Sequence, residues 1–292
     1  MVAQAFEYRR AAELPEVLAV LTEHGDDAKV LAGGQSLVPM MHLRLARPGV
    51  VVDINRLPGL DGVSAGDGEL RLGALVRHRR LERPVVGDPL GALLAAAARH
   101  VGHLPIRARG TFAGSLAHAD PAAEWCLVAV AVAARLVLAS SAGERVVAAD
   151  DFFDYPFVTA LRADELITEV RLPLLGPATG VAFREQAPTA GAFAHVAACA
   201  TATVESGRVT AARLALGGVA GRPRTLPGVV APLVGAAPED EALDWAFDEV
   251  RHGVLAAVDP PDDLLVPADY RRALAAELAV SALAEAIQKA PR

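Results

Sequence analysis

Apolar positions recur along this chain with two periods, and these divide it into helices and strands. Leu14, Val17, Leu18 and Leu21 fall at i, i+3, i+4 and i+7, which predicts an amphipathic helix ended by Gly25. Residues 29–31 then read as a buried strand. Residues 50–54 read as a second, closed by Asn55 and Pro58-Gly59, and residues 69–75 as a third. Leu90, Leu93, Leu94, Ala97 and Val101 predict another helix, running into Gly102 and Pro105. Asp120-Pro121 offers an N-cap and an N1 residue, and an Ala/Val-rich helix is expected after it. Strands follow at 135–139 and, across the turn Ser141-Ala142-Gly143, at 145–148. A further strand runs over 166–172.

The Pro/Gly-rich stretch 173–180 interrupts the pattern and predicts a boundary, giving domains at 1–175 and 176–292. Beyond it, residues 182–185, 195–205 and 208–216 read as antiparallel strands, with Ser206-Gly207 as a hairpin turn. Two helices close the chain, at 240–258 and 268–289, the second placing Tyr270, Leu274 and Leu278 on one stripe. Runs of strands and helices in this order predict an α+β fold ending in a small antiparallel sheet with helices.

Composition narrows the function classes. Apolar residues make up 53% of 292, ample for a core, and net charge is −7. The cluster Arg77-His78-Arg79-Arg80 is short and reads as a solvated loop or helix end, which excludes a broad nucleic-acid face. Charges at Glu7, Arg9 and Arg10 without an apolar run before them predict no secretory leader, and no apolar run is long enough for a membrane span. Cys126 and Cys199 lie in apolar surroundings and read as small packing residues. Two such cysteines cannot supply a four-cysteine iron–sulfur cluster, and no metal-ligand motif is present. A cytoplasmic protein is expected.

The candidate chemistry lies in two glycine-bearing stretches. The first, Ala32-Gly33-Gly34-Gln35-Ser36-Leu37, follows the apolar pair Val30-Leu31. The second begins Gly110-Thr111-Phe112-Ala113-Gly114-Ser115 and runs to Asp120-Pro121. Small residues let the main chain approach a ligand, and neighbouring N–H groups can then converge on phosphate. Neither stretch has the spacing of a Rossmann turn, and no Gly-Lys-Ser/Thr P-loop occurs. Each alone also reads as a plain turn. Asp120 could merely cap a helix, His118 could be an ordinary loop histidine, and Thr111 and Ser115 could make local turn hydrogen bonds. Two such stretches together suggest a diphosphate held from two sides.

The flanking residues extend this. KVLAGGQSLVPMMHLRLARP at 29–48 with Val52-Asp53-Ile54-Asn55, VGHLPIRARGTFAGSLAHADPAAE at 101–124, and Asp164-Glu165-Leu166-Ile167 through Val170-Arg171-Leu172-Pro173 occur in that order. Over essentially the whole chain the sequence resembles the FAD-binding medium subunit of the molybdenum hydroxylases, the CO dehydrogenase/xanthine dehydrogenase family. The resemblance implies a vanillyl-alcohol-oxidase-type (PCMH-type) FAD-binding domain with two α+β subdomains, then the smaller C-terminal domain. It implies FAD contacts from Ala32, Gly33, Gly34, Gln35, Ser36 and Leu37, and from Thr111, Ala113, Gly114, Ser115 and Asp120. Glu124 is expected at the acidic contact after the second stretch. Ile167 and Val101 are expected at apolar contacts, and Arg184 at a basic position on the strand entering the C-terminal domain. No catalytic acid or base is implied.

The implied partners are a small subunit with two [2Fe–2S] clusters and a molybdopterin large subunit, in a heterotrimer or a dimer of heterotrimers. Electrons would arrive from a cluster and leave to NAD, a quinone or another acceptor. One position departs from the family, which usually has Thr-Ile-Gly-Gly where this chain has Thr111-Phe112-Ala113-Gly114. If that position needed φ > 0 or abutted a phosphate, Ala113 would cost about 1–2 kcal/mol and weaken FAD binding. Two other functions are compatible with the residues: an assembly subunit that has lost FAD, motivated by Ala113, and a stand-alone flavin oxidase. Against the oxidase, the chain lacks a large substrate cap and a placeable histidine or cysteine for covalent flavin attachment.

Overall fold

The computed structural model describes residues 3–238, 241–264 and 266–291. The chain opens with β1 (Glu7–Arg10), α1 (Leu14–His24), β2 (Ala28–Leu31), α2 (Leu37–His42) and β3 (Val50–Asp53). β1 and β2 both pair parallel with β3, giving a three-stranded sheet in the order β1-β3-β2. Val17, Leu18, Val20 and Leu21 of α1 cover one face, packing with Val50, Val52 and Ile54. The predicted helix and two strands are present. β1 is an addition, since its sequence Glu-Tyr-Arg-Arg carries no apolar alternation; its strand state comes from pairing with the apolar β3.

The second region contains β4 (Val63–Gly66), β5 (Glu69–Gly73), α3 (Pro89–Ala98), α4 (Leu104–Arg109), α5 (Phe112–His118), α6 (Glu124–Ala131), β6 (Arg135–Ser140), β7 (Gly143–Ala148), α7 (Ala149–Phe152), β8 (Phe153–Tyr155), β9 (Val158–Thr159) and β10 (Leu166–Pro173). β10 lies at the centre of an antiparallel sheet ordered β4-β5-β10-β6-β7. Every residue of α6 is buried, as expected for a helix apolar on all sides. It packs on α3 and α5 and against the C-terminal sheet.

That sheet comprises β11 (Thr179–Gln186), β12 (Val196–Glu205), β13 (Arg208–Gly217) and β14 (Arg224–Thr225), in that order and antiparallel. After it come α8 (Pro227–Val230), α9 (Glu241–Ala257) and α10 (Ala268–Lys289). The expected start of α9, Asp240, lies outside the described residues. β12 is buried on both faces, and its period of two divides it between two cores. Ala197 and Cys199 join the core around α6, whereas Val196, Ala198, Ala200 and Ala202 join the core of α10, against which α9 packs. The small side chains of β12 face an equally small stripe on α10, built on Ala275, Ala276, Ala279, Ala282 and Ala286. Leu274 and Leu278 pack along its edge, and Tyr270 stands half exposed. Among the described residues no helix is long and apolar enough to cross a membrane.

Candidate functional site

Parallel strands leave a crevice outside their carboxyl ends, and β2 and β3 end side by side. The first glycine stretch leaves β2 there, and Asp53 and Asn55 close β3 beside it. Together they form a cleft of about 450 Å³ lined by Leu31, Ala32, Gly33, Gly34, Gln35, Val38, Pro39, Asp53, Asn55 and Arg109. Ser36 and Leu37 carry the chain from the cleft into α2. The Asn55 side-chain amide donates to the carbonyls of Ala32 (2.8 Å) and Leu31 (3.3 Å), fixing the exit from β2. Asp53 accepts from the Asn55 main-chain N–H (2.8 Å) and from the Tyr8 hydroxyl (2.5 Å).

The second stretch is bound directly to the first. A Cβ on Gly33 would lie 2.5 Å from the Arg109 carbonyl oxygen and 2.6 Å from Gly110 Cα, so only glycine permits this approach. A Cβ on Gly110 would in turn strike the His78 ring. Arg77 ties the stretches together by donating to the Asn55 side-chain oxygen (2.5 Å) and to the Arg109 carbonyl. The His78 backbone N–H donates to the Gly110 carbonyl (3.0 Å), and that of Phe112 to Val76 (3.0 Å). His78 Nδ1 accepts from the indole N–H of Trp125 (2.8 Å). Burial, with Arg77 and Arg107 nearby, pushes His78 down to about 4, so the ring is neutral at pH 7.

Several expectations are corrected here. The cluster Arg77-His78-Arg79-Arg80 is not a solvated loop: Arg79 and Arg80 are exposed, but His78 is buried and Arg77 is half-buried between the two stretches. Residues 112–118 are a helix and not a loop. Thr111 is its N-cap, its hydroxyl accepting from the Gly114 N–H at 3.1 Å. Ala113 lies in the first turn, where φ is helical, and its methyl is buried in the main core. The steric cost expected at Ala113 from a positive φ therefore does not arise.

Asp120 does not cap α6. Its carboxylate accepts from the Ala122 N–H (2.9 Å) and its carbonyl from Ala123 (3.0 Å), so a turn intervenes and the helix begins at Glu124. Ala119, at φ +53°, turns the chain into it.

Glu124 is only 5% exposed, and burial pushes it up to about 7, with Glu185 and Asp120 adding to the rise. On the neighbouring strand β11, Glu185 pairs with His100 Nδ1 at 3.0 Å, which raises the His100 pKa. Arg184, the adjacent residue, points to the other face of the sheet and donates to Glu285 of α10 (2.6 Å). Val101 and Ile167 are buried in the main core.

Of the residues selected from sequence, the structure thus gathers Ala32, Gly33, Gly34 and Gln35 in one cleft. Thr111 to Ser115 sit directly behind it, Glu124 and Asp120 lie in an acidic cluster, and Arg184 stands apart. Val38, Pro39, Asp53, Asn55 and Arg109 lie within the motifs read from sequence but were not named there as contacts, and Arg77 lies outside those motifs. The signal for Asp53 and Asn55 was their place at the end of a buried strand.

A cleft at the ends of parallel strands, with one glycine-bearing segment as its wall and a second braced against it through Arg109 and Gly110, lies where mixed α and β proteins take their ligands. Residues 4–175 match the family described as FAD binding domain in molybdopterin dehydrogenase, and residues 181–286 match that described as CO dehydrogenase flavoprotein C-terminal domain. The chain is 35% identical over 286 residues to caffeine dehydrogenase subunit beta of Pseudomonas sp. (strain CBB1), covering 98% of this chain and 96% of that protein. It is 36% identical over 285 residues to the carbon monoxide dehydrogenase medium chain of Hydrogenophaga pseudoflava, with 97% of each covered. A solved structure of carbon monoxide dehydrogenase from that organism, lacking the Mo-pyranopterin moiety, superposes with a TM-score of 0.94 at 33% identity over the full length of both chains. The chain belongs to the molybdenum hydroxylase family, as one of its FAD-binding medium subunits.

Proposed function

We propose that this chain holds the FAD of a molybdenum hydroxylase complex and passes electrons from a [2Fe–2S] small subunit, fed by a molybdopterin large subunit, to an external acceptor. The observation that carries the reading is the junction of the two glycine-bearing segments at Gly33 and Gly110, beside a cleft at the carboxyl ends of β2 and β3. The lining suits a dinucleotide: small residues at the cleft wall whose main chain is open to a ligand, the Gln35 amide folded back on the Gly33 carbonyl (3.1 Å), and Arg109, with Asn55 bracing the wall. In this reading Ala32, Gly33, Gly34, Gln35, Ser36 and Leu37 hold the cofactor from one side. Thr111, Ala113, Gly114 and Ser115 support it from the other, with Glu124 and Asp120 as the acidic neighbours.

FAD, when bound, supplies the capacity to accept electrons and release them to a different carrier; the protein supplies position and electrostatics. Tyr8, Asp53 and Asn55 fix the end of β3, and Arg77 holds the second segment against the first. Residues 1–175 are proposed as the FAD-binding domain and 176–292 as its C-terminal companion. The reading without FAD rested on Ala113, and the helical backbone there removes the positive-φ strain that motivated it.

The test is the absorbance spectrum and FAD content of the purified chain, with iron and molybdenum content of whatever copurifies. A flavin spectrum without independent dehydrogenase activity, and partners carrying iron–sulfur and molybdenum, are expected. A colourless chain that cannot be reconstituted with FAD would overturn the proposal.

A further inference from the structure

Three arginines gather near the cleft, and two of them are committed to the protein itself. Arg107 donates to Glu82 (2.6 Å) and to the Gly102 carbonyl (2.7 Å). Arg77 is held by Asn55 and the Arg109 carbonyl. Arg109 lines the cleft and is exposed. Among the described residues its guanidinium has no hydrogen-bond or ion-pair partner. Its main chain is nevertheless fixed, because its carbonyl accepts from Arg77 and lies against Gly33. The side chain therefore projects from an anchored stem.

Asp53 is the one carboxylate lining the cleft among the described residues, and Tyr8 and Asn55 already donate to it. Burial, and after it the like charge of Arg109, hold the Arg77 pKa below the usual guanidinium range, with Asp53 and Asp61 opposing only in part. Two guanidiniums are thus brought together at a cleft edge, with Asp53 as the carboxylate nearest to both and already taken up by Tyr8 and Asn55. An anion entering the cleft relieves that repulsion and meets a donor fork suited to phosphate oxygens.

We infer that Arg109 is the electrostatic clamp for the diphosphate of FAD, and thereby selects a dinucleotide flavin over an uncharged one. The inference rests on the function proposed above and names a residue within the same site.

The test uses the full chain freed of FAD and titrated with FAD, riboflavin and ADP, the first two by flavin fluorescence and ADP by competition. In Arg109→Gln, affinity for FAD and ADP should fall by about 10- to 100-fold, with riboflavin changed by less than about twofold. Arg109→Lys should lie between, keeping the charge without the fork. Raising salt should weaken FAD binding more steeply in the parent than in Arg109→Gln. Unchanged FAD affinity in Arg109→Gln would overturn the inference while leaving the proposed function standing. So would a loss of riboflavin affinity equal to that of FAD, because it would show general disturbance of the site. A parent chain that binds no FAD would overturn both.

Discussion

Arg77 and Asn55 meet at 2.5 Å, and through this contact the residue that steadies the second glycine-bearing segment also steadies the first. Asn55 donates onward to the carbonyls of Leu31 and Ala32, and Arg77 to that of Arg109. The two walls of the cleft are therefore held by one side-chain link.

Replacing Asn55 should loosen both walls at once. Asn55→Ala removes the acceptor of a half-buried guanidinium and leaves two carbonyls without their side-chain donor. A loss on the order of 2–3 kcal/mol of stability is expected, read by urea denaturation of the FAD-free chain. FAD affinity should fall at least about tenfold in the same variant, since one decade corresponds to roughly 1.4 kcal/mol. A variant as stable as the parent would show the link to be incidental.

Gly33→Ala tests the close approach. The new methyl would have to displace the main chain of Arg109 and Gly110, which cannot swing away as a side chain can. Forcing such a contact costs about 1–3 kcal/mol. The chain should fold with a lowered melting temperature and retain little FAD. Stoichiometric FAD in the purified variant would refute this account of the junction.

Ala113→Gly restores the residue usual in the family and should bring no benefit. Ala113 is helical and its methyl is buried, so glycine adds backbone entropy to the unfolded chain and removes a packed group. A destabilisation of about 0.5–1 kcal/mol, or somewhat more from the lost methyl, is expected. FAD affinity should be unchanged; a rise would mean that the methyl obstructs the cofactor.

Glu124 should make stability depend on pH. Burial lifts its pKa to about 7 from an ordinary 4.5, so the folded chain keeps a proton that the unfolded chain releases. The stabilising contribution is complete below about pH 4.5 and is lost as pH rises to about 7, after which it stays constant. The loss is on the order of 3 kcal/mol. Glu124→Gln should remove it, so the variant's advantage over the parent should grow from pH 4.5 to 7 and then level off. His78 works in the opposite sense: its contribution is lost as pH falls from 6.5 through about 4. It is present in both proteins, so its effect drops out of the comparison. Chemical denaturation across pH 4–8 supplies the measurement, and parallel curves would refute the assignment.

The elements with strong apolar periodicity were legible in the sequence: α1, β3, the three longer strands of the C-terminal sheet (β11, β12 and β13), and α10; the two-residue β14 was not. β1 was not, because four polar-rich residues become a strand only by pairing with β3. α5 was not, because seven residues give too short a window for helical periodicity, and its threonine and glycine suggested a turn. The first wall of the cleft was legible because its residues are consecutive. Asn55, Arg77 and Arg109 were not, since their meeting depends on three segments converging, and a run of basic residues looks solvated until the fold encloses one of them.

The alternation along β12 has a consequence for inheritance. Ala197 and Cys199 belong to the core around α6, while their neighbours Ala198 and Ala200 belong to that of α10. One strand thus serves as a party wall, and an enlargement on either side must be answered by the residents of that side. A chain cut before β11 would leave the buried flank of α6 facing water, with Leu127, which lies beside Gly217 of β13, losing cover. The two halves of the chain are therefore expected to unfold together rather than one after the other.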